Sequence, residues 1–102
     1  MSRTTGYSMV LESRIVDNVK QRLREIPQCV VRKRHGTAYI TRGDADLYGS
    51  LRGRHFEIEV KRPGKQPTPL QFARLEEWRA SGAIAGWATN VAGALAVLEC
   101  AE

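Results

Sequence analysis

The sequence predicts a single α/β domain of the α+β type, spanning residues 1–102 in the order α-β-β-β-β-α-β-α. Three features predict it. Apolar residues recur at helical period near the start, short β-branched and alternating segments follow between Cys29 and Lys61, and a threonine-proline helix start at Thr68-Pro69 precedes one more strand and helix. A chain of this length holds one hydrophobic core and not two.

Glu12, Ile15, Val16, Val19, Leu23 and Ile26 share one helical face, while Arg14, Asp17, Lys20, Gln21 and Arg24 fill the opposite one, so the first helix is predicted from about Ser8 to Glu25. Pro27 stops it. Cys29 to Arg34 and Thr37 to Thr41 then read as strands joined by a tight turn at His35-Gly36. A third strand is expected over Ala45 to Tyr48, a turn over Gly49 to Gly53, and a fourth strand over Arg54 to Lys61. Pro63 to Pro67 breaks the chain. Thr68 as cap, Pro69 in the first helical position and Gln71 three residues after the cap open a helix that runs to about Ser81 and ends at Gly82. Ile84 to Thr89 is a short apolar strand, and Asn90 caps a last helix from Val91 to about Cys100.

The chain carries 16 Lys+Arg against 11 Asp+Glu, a formal net charge of +5. The excess lies in residues 1–45, with nine Lys/Arg and four Asp/Glu, and is densest at Arg32, Lys33, Arg34 and His35. Such a balance favours a polyanionic partner. Cys29 and Cys100 are too few and too far apart for a disulfide framework or a thiolate metal site and read as buried free thiols of a reducing compartment. The first residues lack an apolar signal core, and no stretch approaches the roughly 20 apolar residues of a membrane span, so a cytoplasmic protein with no membrane partner is expected.

Alternation along the fourth strand puts His55, Glu57, Glu59 and Lys61 on one face and Phe56, Ile58 and Val60 on the other. If the strand ending near Asp46 pairs with it, Asp46, Glu59 and Lys61 converge, which suits holding a divalent metal and a water against a phosphodiester. A register with Glu57 in place of Glu59 is the alternative, and the lysine two residues after Glu59 favours Glu59. Asp44 shares a face with Asp46 and is the reserve ligand, otherwise a turn residue. On a solvated sheet the same charges would simply form cross-strand ion pairs. Glu12 heads the apolar stripe of its helix and so should point inward. Leu75, Trp78 and Trp87 read as core packing, and His55 is given no catalytic role.

Glu12 on a first helix, Gly-x-x-Asp at Gly43 to Asp46, Glu59-Val60-Lys61 on the next strand and Gln71 opening the following helix together resemble the VRR-NUC (virus-type replication-repair nuclease) branch of the PD-(D/E)XK nucleases, in a stand-alone phage or bacterial form. The resemblance covers nearly the whole chain. It implies a restriction-endonuclease-like core, a central mixed β-sheet flanked by helices, and metal-dependent hydrolysis of DNA phosphodiesters that leaves 5′-phosphate and 3′-hydroxyl ends. By the same resemblance Asp46 and Glu59 hold Mg²⁺ or Mn²⁺, with the Val60 carbonyl as a further ligand. Lys61 orients or deprotonates the attacking water, Glu12 reaches the metal directly or through water, and Gln71 positions the lysine, a water or the phosphate. It further implies a two-fold homodimer acting on branched, Holliday-junction-like DNA.

Arg32, Lys33, Arg34, Arg42, Arg52, Arg54, Arg62 and Lys65 are expected to grip phosphates on either side of the scissile bond, and no base-reading motif is visible. Two other classes compete. A non-catalytic DNA-binding accessory of a replication or repair complex would have no need to gather Asp46, Glu59 and Lys61. A plain interaction protein would show no divalent binding and little salt-sensitive DNA affinity.

Overall fold

A computed structural model describes residues 2–35 and 41–99. Its elements are α1 (Ser2–Leu23), β1 (Cys29–Lys33), β2 (Leu47–Leu51), β3 (Arg54–Val60), α2 (Pro69–Ala80), β4 (Ile84–Ala88) and α3 (Val91–Glu99). This is the expected order, with the strand predicted over 37–41 falling, but for Thr41, outside the described residues. Cys100 lies outside them as well, and Cys29 is a partly buried free thiol.

The first helix begins at Ser2 rather than Ser8, since no proline interrupts it earlier. It ends at Leu23 rather than Glu25. Beyond that point Glu25 and Ile26 donate to the carbonyls three residues back, Arg22 and Leu23, which tightens the last turn out of α geometry before Pro27.

Gly49, Ser50 and Leu51 belong to β2 and not to a turn. A Cβ at Gly49 would lie 1.8 Å from the Val30 carbonyl oxygen and 2.9 Å from the Phe56 ring, so this glycine marks a close approach inside the sheet. The turn shrinks to Arg52-Gly53, both with positive φ (51° and 86°), the two-residue hairpin geometry whose twist matches the flanking strands. The predicted cap of α2 is present in full: Gln71 N–H donates to Thr68 Oγ1 (3.2 Å) and Thr68 N–H to Gln71 Oε1 (2.9 Å). Asn90 Oδ1 likewise accepts from Gly93 N–H at 2.7 Å to start α3.

The sheet runs β1-β2-β3-β4, with β1/β2 and β2/β3 antiparallel and β3/β4 parallel. Phe56, Ile58 and Val60 pack with Val31, Leu47 and Ile84 against Val16, Val19 and Leu23 of α1 and Ala94 and Leu98 of α3. Burying each of the larger of these side chains stabilises the fold by roughly 1.5–3 kcal/mol. On the opposite face α2 lays Leu75 and Trp78 over Ala45 and Ala85. The sheet is therefore covered on both sides, and the charged face of β3, which alternation alone would leave to solvent, is interior.

Candidate active site

The return of α2 between β3 and the parallel β4 places the N-terminus of α2 beside the C-terminal ends of both strands. Chemistry-bearing residues gather at that end. Leu47 pairs with Ile58, so Asp46, one step earlier, falls opposite Glu59, one step later. Asp46 Oδ2 accepts the Val60 backbone N–H at 2.9 Å, while the Asp46 carbonyl accepts from Arg34 N–H at 2.8 Å. Both ends of the residue are thereby tied to the sheet.

The loop that delivers Asp46 is shaped by Gly43. Its φ of +84° is open to glycine at little cost, and a Cβ there would sit 2.7 Å from Leu70 Cγ, so the glycine lets the loop lie against α2. Arg74 Nε donates to the Arg42 carbonyl at 2.9 Å and holds the same loop from the helix side.

Glu59 is 2% exposed, and its Oε2 is buried with no hydrogen-bond partner among the described residues. Burial first, then hydrogen bonding to Asp46 and the charges of Asp46 and Glu12, push its carboxyl up to about 10 against the opposing pull of Lys61. Glu12 arrives from α1 and accepts the Arg62 backbone N–H at 3.3 Å. Lys61 follows β3 directly, its backbone N–H held by the Ala88 carbonyl at 3.0 Å. Asp46, Glu59, Lys61 and Glu12 thus come together around one buried, under-satisfied carboxylate.

Among the described residues, no three of His, Cys, Asp and Glu are grouped to hold a metal on protein side chains alone. Mg²⁺ in particular takes one or two carboxylates and completes its octahedron with waters and phosphate oxygens. Asp46 with the orphaned Oε2 of Glu59 is a donor set of that kind, and a cation would remove the repulsion that raises the Glu59 pKa. The residues present fit a hard divalent cation.

Glu57 is the other fully buried acid, at 0% exposure. Arg34 Nη1 and Nη2 donate to its two oxygens at 2.7 and 3.2 Å, and His55 Nε2 lies 2.6 Å from Oε2. Both of its oxygens are thus occupied, and the strand register sets Asp46 beside Glu59 rather than Glu57. Arg34 also donates to the Ala45 carbonyl at 2.7 Å and lies over the Tyr48 ring at 4.5 Å. Burial lowers its pKa, but the bonds and charge of Glu57 outweigh that and leave it raised. His55 stacks on Trp78 with centroids 4.6 Å apart. This buried Arg34-Glu57-His55 group escaped sequence reading. The only signal for it was an arginine at the end of β1 and a histidine two residues before an acid.

The remaining expected residues divide. Arg34 is turned inward onto Glu57 and is not a surface phosphate grip. Arg52 and Arg54 sit at the β2–β3 hairpin, roughly 20 Å along the strand from Lys61, so they are not beside the site as expected. Lys33 reaches Asp17 at 3.5 Å on the α1 side. Arg32, Arg42 and Lys65 are exposed and Arg62 partly so. Gln71 stands in the first turn of α2, with its Oε1 committed to the cap. Trp87 is 37% exposed and is not core as expected, because β4 is an edge strand and α2 reaches this position only through the edge-on contact of Phe72.

Several solved structures are similar to the chain. One described as a VRR_NUC domain shares 26% identity and a TM-score of 0.70, covering 87% of this chain and 95% of its own. A second, described as a VRR_NUC domain protein, shares 18% identity and a TM-score of 0.71, covering 88% of this chain and 86% of its own. No family model and no curated protein sequence matches the chain.

Proposed function

From a chain that carries the VRR-NUC domain fold, we propose a divalent-metal-dependent DNA nuclease of the PD-(D/E)XK type. The observation that carries the reading is the orphaned Oε2 of Glu59, buried beside Asp46 and Lys61. A structural acid would be satisfied as Glu57 is. An acid held ready for a cation is not, and buried unsatisfied polar atoms in folded proteins call for such a reason.

Asp46 and Glu59 would hold Mg²⁺ or Mn²⁺, with the Val60 carbonyl and Glu12 as further donors. The bound cation would neutralise phosphate charge and lower the pKa of a water. Lys61 would hold that water or a non-bridging phosphate oxygen by hydrogen bonds from its ammonium group. Asp46 is kept from rotating by the Val60 N–H, and Glu12 fixes the backbone of Arg62 at the site's edge. Gln71, with its carbonyl oxygen in the cap, has its side-chain amide N–H groups to offer to phosphate or water. Arg32, Arg42, Arg62 and Lys65 would supply sequence-independent contacts to the DNA backbone.

In-line hydrolysis at such a site leaves 5′-phosphate and 3′-hydroxyl ends. Branched DNA is the substrate proposed, cut by a homodimer that presents two sites to two strands. The test is cleavage of a labelled four-way junction, a matched duplex and a single strand with Mg²⁺, Mn²⁺ or EDTA, for wild type, Asp46→Asn and Lys61→Ala. Metal-dependent cutting of the junction that both variants lose is expected. Tight DNA binding with no cutting in any metal would overturn the reading in favour of a non-catalytic accessory module.

A further inference from the structure

Trp87 is the β4 partner of Glu59, so the two side chains leave the sheet on the same face, one strand spacing of about 4.8 Å apart. Glu59 is covered and Trp87 is 37% exposed. Phe72, on the first turns of α2, meets the Trp87 ring at right angles with centroids 6.3 Å apart and is itself 41% exposed. Two large aromatic side chains, packed on each other, therefore stay partly exposed at the rim of the carboxylate site. Burial usually claims such rings. Their position adjoins the one place where, on the nuclease reading, a phosphodiester must sit.

We propose that Trp87, with Phe72 beside it, is a stacking platform for an unpaired nucleobase next to the scissile phosphate. The inference rests on the nuclease reading and adds a substrate preference to it. A phosphate held between Glu59 and Lys61 carries its neighbouring nucleotide within a few ångströms of the Trp87 ring. A base in a continuous duplex has both faces occupied by its neighbours, whereas an unpaired base offers a free face to an aromatic ring. The surroundings suit a strand of DNA: Lys61 and the exposed Lys65 bring positive charge to the same end of the molecule. Stacking is tolerant of base identity, in keeping with a chain that shows no base-reading element. The site would thus favour the single-stranded side of a junction, flap or overhang through Trp87, while the basic residues hold the backbone without regard to sequence.

The test separates stacking from catalysis. Fluorescence anisotropy in EDTA measures binding of a 20-base-pair duplex, the same duplex with a three-nucleotide overhang, and that overhang with abasic residues. Wild type should bind the overhang more tightly than the abasic version, and Trp87→Ala should lose that difference, a change of roughly 5- to 150-fold. Trp87→Phe should keep most of it, and Phe72→Ala should lose part. Unchanged thermal unfolding of Trp87→Ala would show that the fold is intact. Equal binding of the base-bearing and abasic overhangs by wild type would overturn the proposal. So would a Trp87→Ala variant that falls from dimer to monomer in sedimentation, since the rings would then face a second copy of the chain. Wild type that prefers the overhang yet cuts nothing in Mg²⁺ or Mn²⁺ would overturn the nuclease reading and leave the platform standing.

Discussion

Glu57 and Glu59 are the same residue type, two positions apart on one face of β3, both essentially removed from water. Glu57 has Arg34 on both oxygens and His55 on one. Glu59 has a second carboxylate for a neighbour and one oxygen with nothing to accept from among the described residues. The middle of the strand thus holds a closed buried ion pair, whose Arg34 fixes the loop to Asp46 through the Ala45 carbonyl. Its C-terminal end holds an unbalanced pair of acids, Asp46 and Glu59. Burial alone does not make a functional carboxylate, and the difference lies in what the neighbours supply.

The sharpest way to break the comparison is to remove each acid in turn. Glu59→Gln should lower cleavage by about 10³-fold or more, because a metal's charge stabilisation is worth several kcal/mol. Its urea midpoint at neutral pH should match or exceed that of wild type, since the folded chain no longer has to take up a proton to bury this side chain. Glu57→Gln should behave in the opposite sense. It leaves Arg34 partly buried without its anion and should cost about 3–5 kcal/mol in urea unfolding. Replacing both partners, Arg34→Met with Glu57→Leu, should recover much of that loss, because apolar pairs of similar volume often match a buried ion pair.

Stability against pH sharpens the same contrast. The Glu59 carboxyl is raised from 4.5 to about 10, chiefly by burial, so the folded chain holds a proton that the unfolded chain releases. Its favourable contribution is full below pH 4.5 and is lost as pH rises towards about 10. In EDTA the wild-type melting temperature should therefore fall across this window with a slope that Glu59→Gln removes. Millimolar Mg²⁺ should reduce the fall at pH 8 by binding only the folded form. A slope unchanged in Glu59→Gln would show that another group carries it.

The smallest effect concerns Gln71. Gln71→Ala removes one half of the capping box and should cost about 1 kcal/mol or less. If cleavage falls by no more than that stability loss explains, Gln71 is a cap alone. A larger drop in kcat with unaltered unfolding would give it a place at the phosphate.

Much of the fold was legible because its signals are local. The stripe from Ile15 to Leu23, the Thr68-Pro69-Gln71 helix start and the alternation over β3 each depend on residues a few positions apart, and each forms as expected. The β2 boundary was misplaced because Gly49 reads locally as a turn residue. It is in fact held in the sheet by the nearness of the Val30 backbone and the Phe56 ring. In the same way Asp46, Glu59 and Lys61 could be brought together by strand pairing alone, whereas the placement of Arg52 and Arg54 near them failed once the hairpin carried both to the far end of β3.

The sequence by itself determined the element order, the face of β3 that carries Glu57, Glu59 and Lys61, and the spacing of that lysine from Glu59. These are consequences of backbone period and of side-chain alternation. Only the tertiary structure decided that Asp46 falls opposite Glu59, that α2 roofs the charged face, that Arg34 spends its charge on Glu57, that Glu59 is left with an open oxygen, and that Trp87 stays partly exposed at the rim. The physical reason is that desolvation and its compensation are set by whichever distant segment covers a residue, and that cover leaves no mark on the residue's own neighbours in sequence.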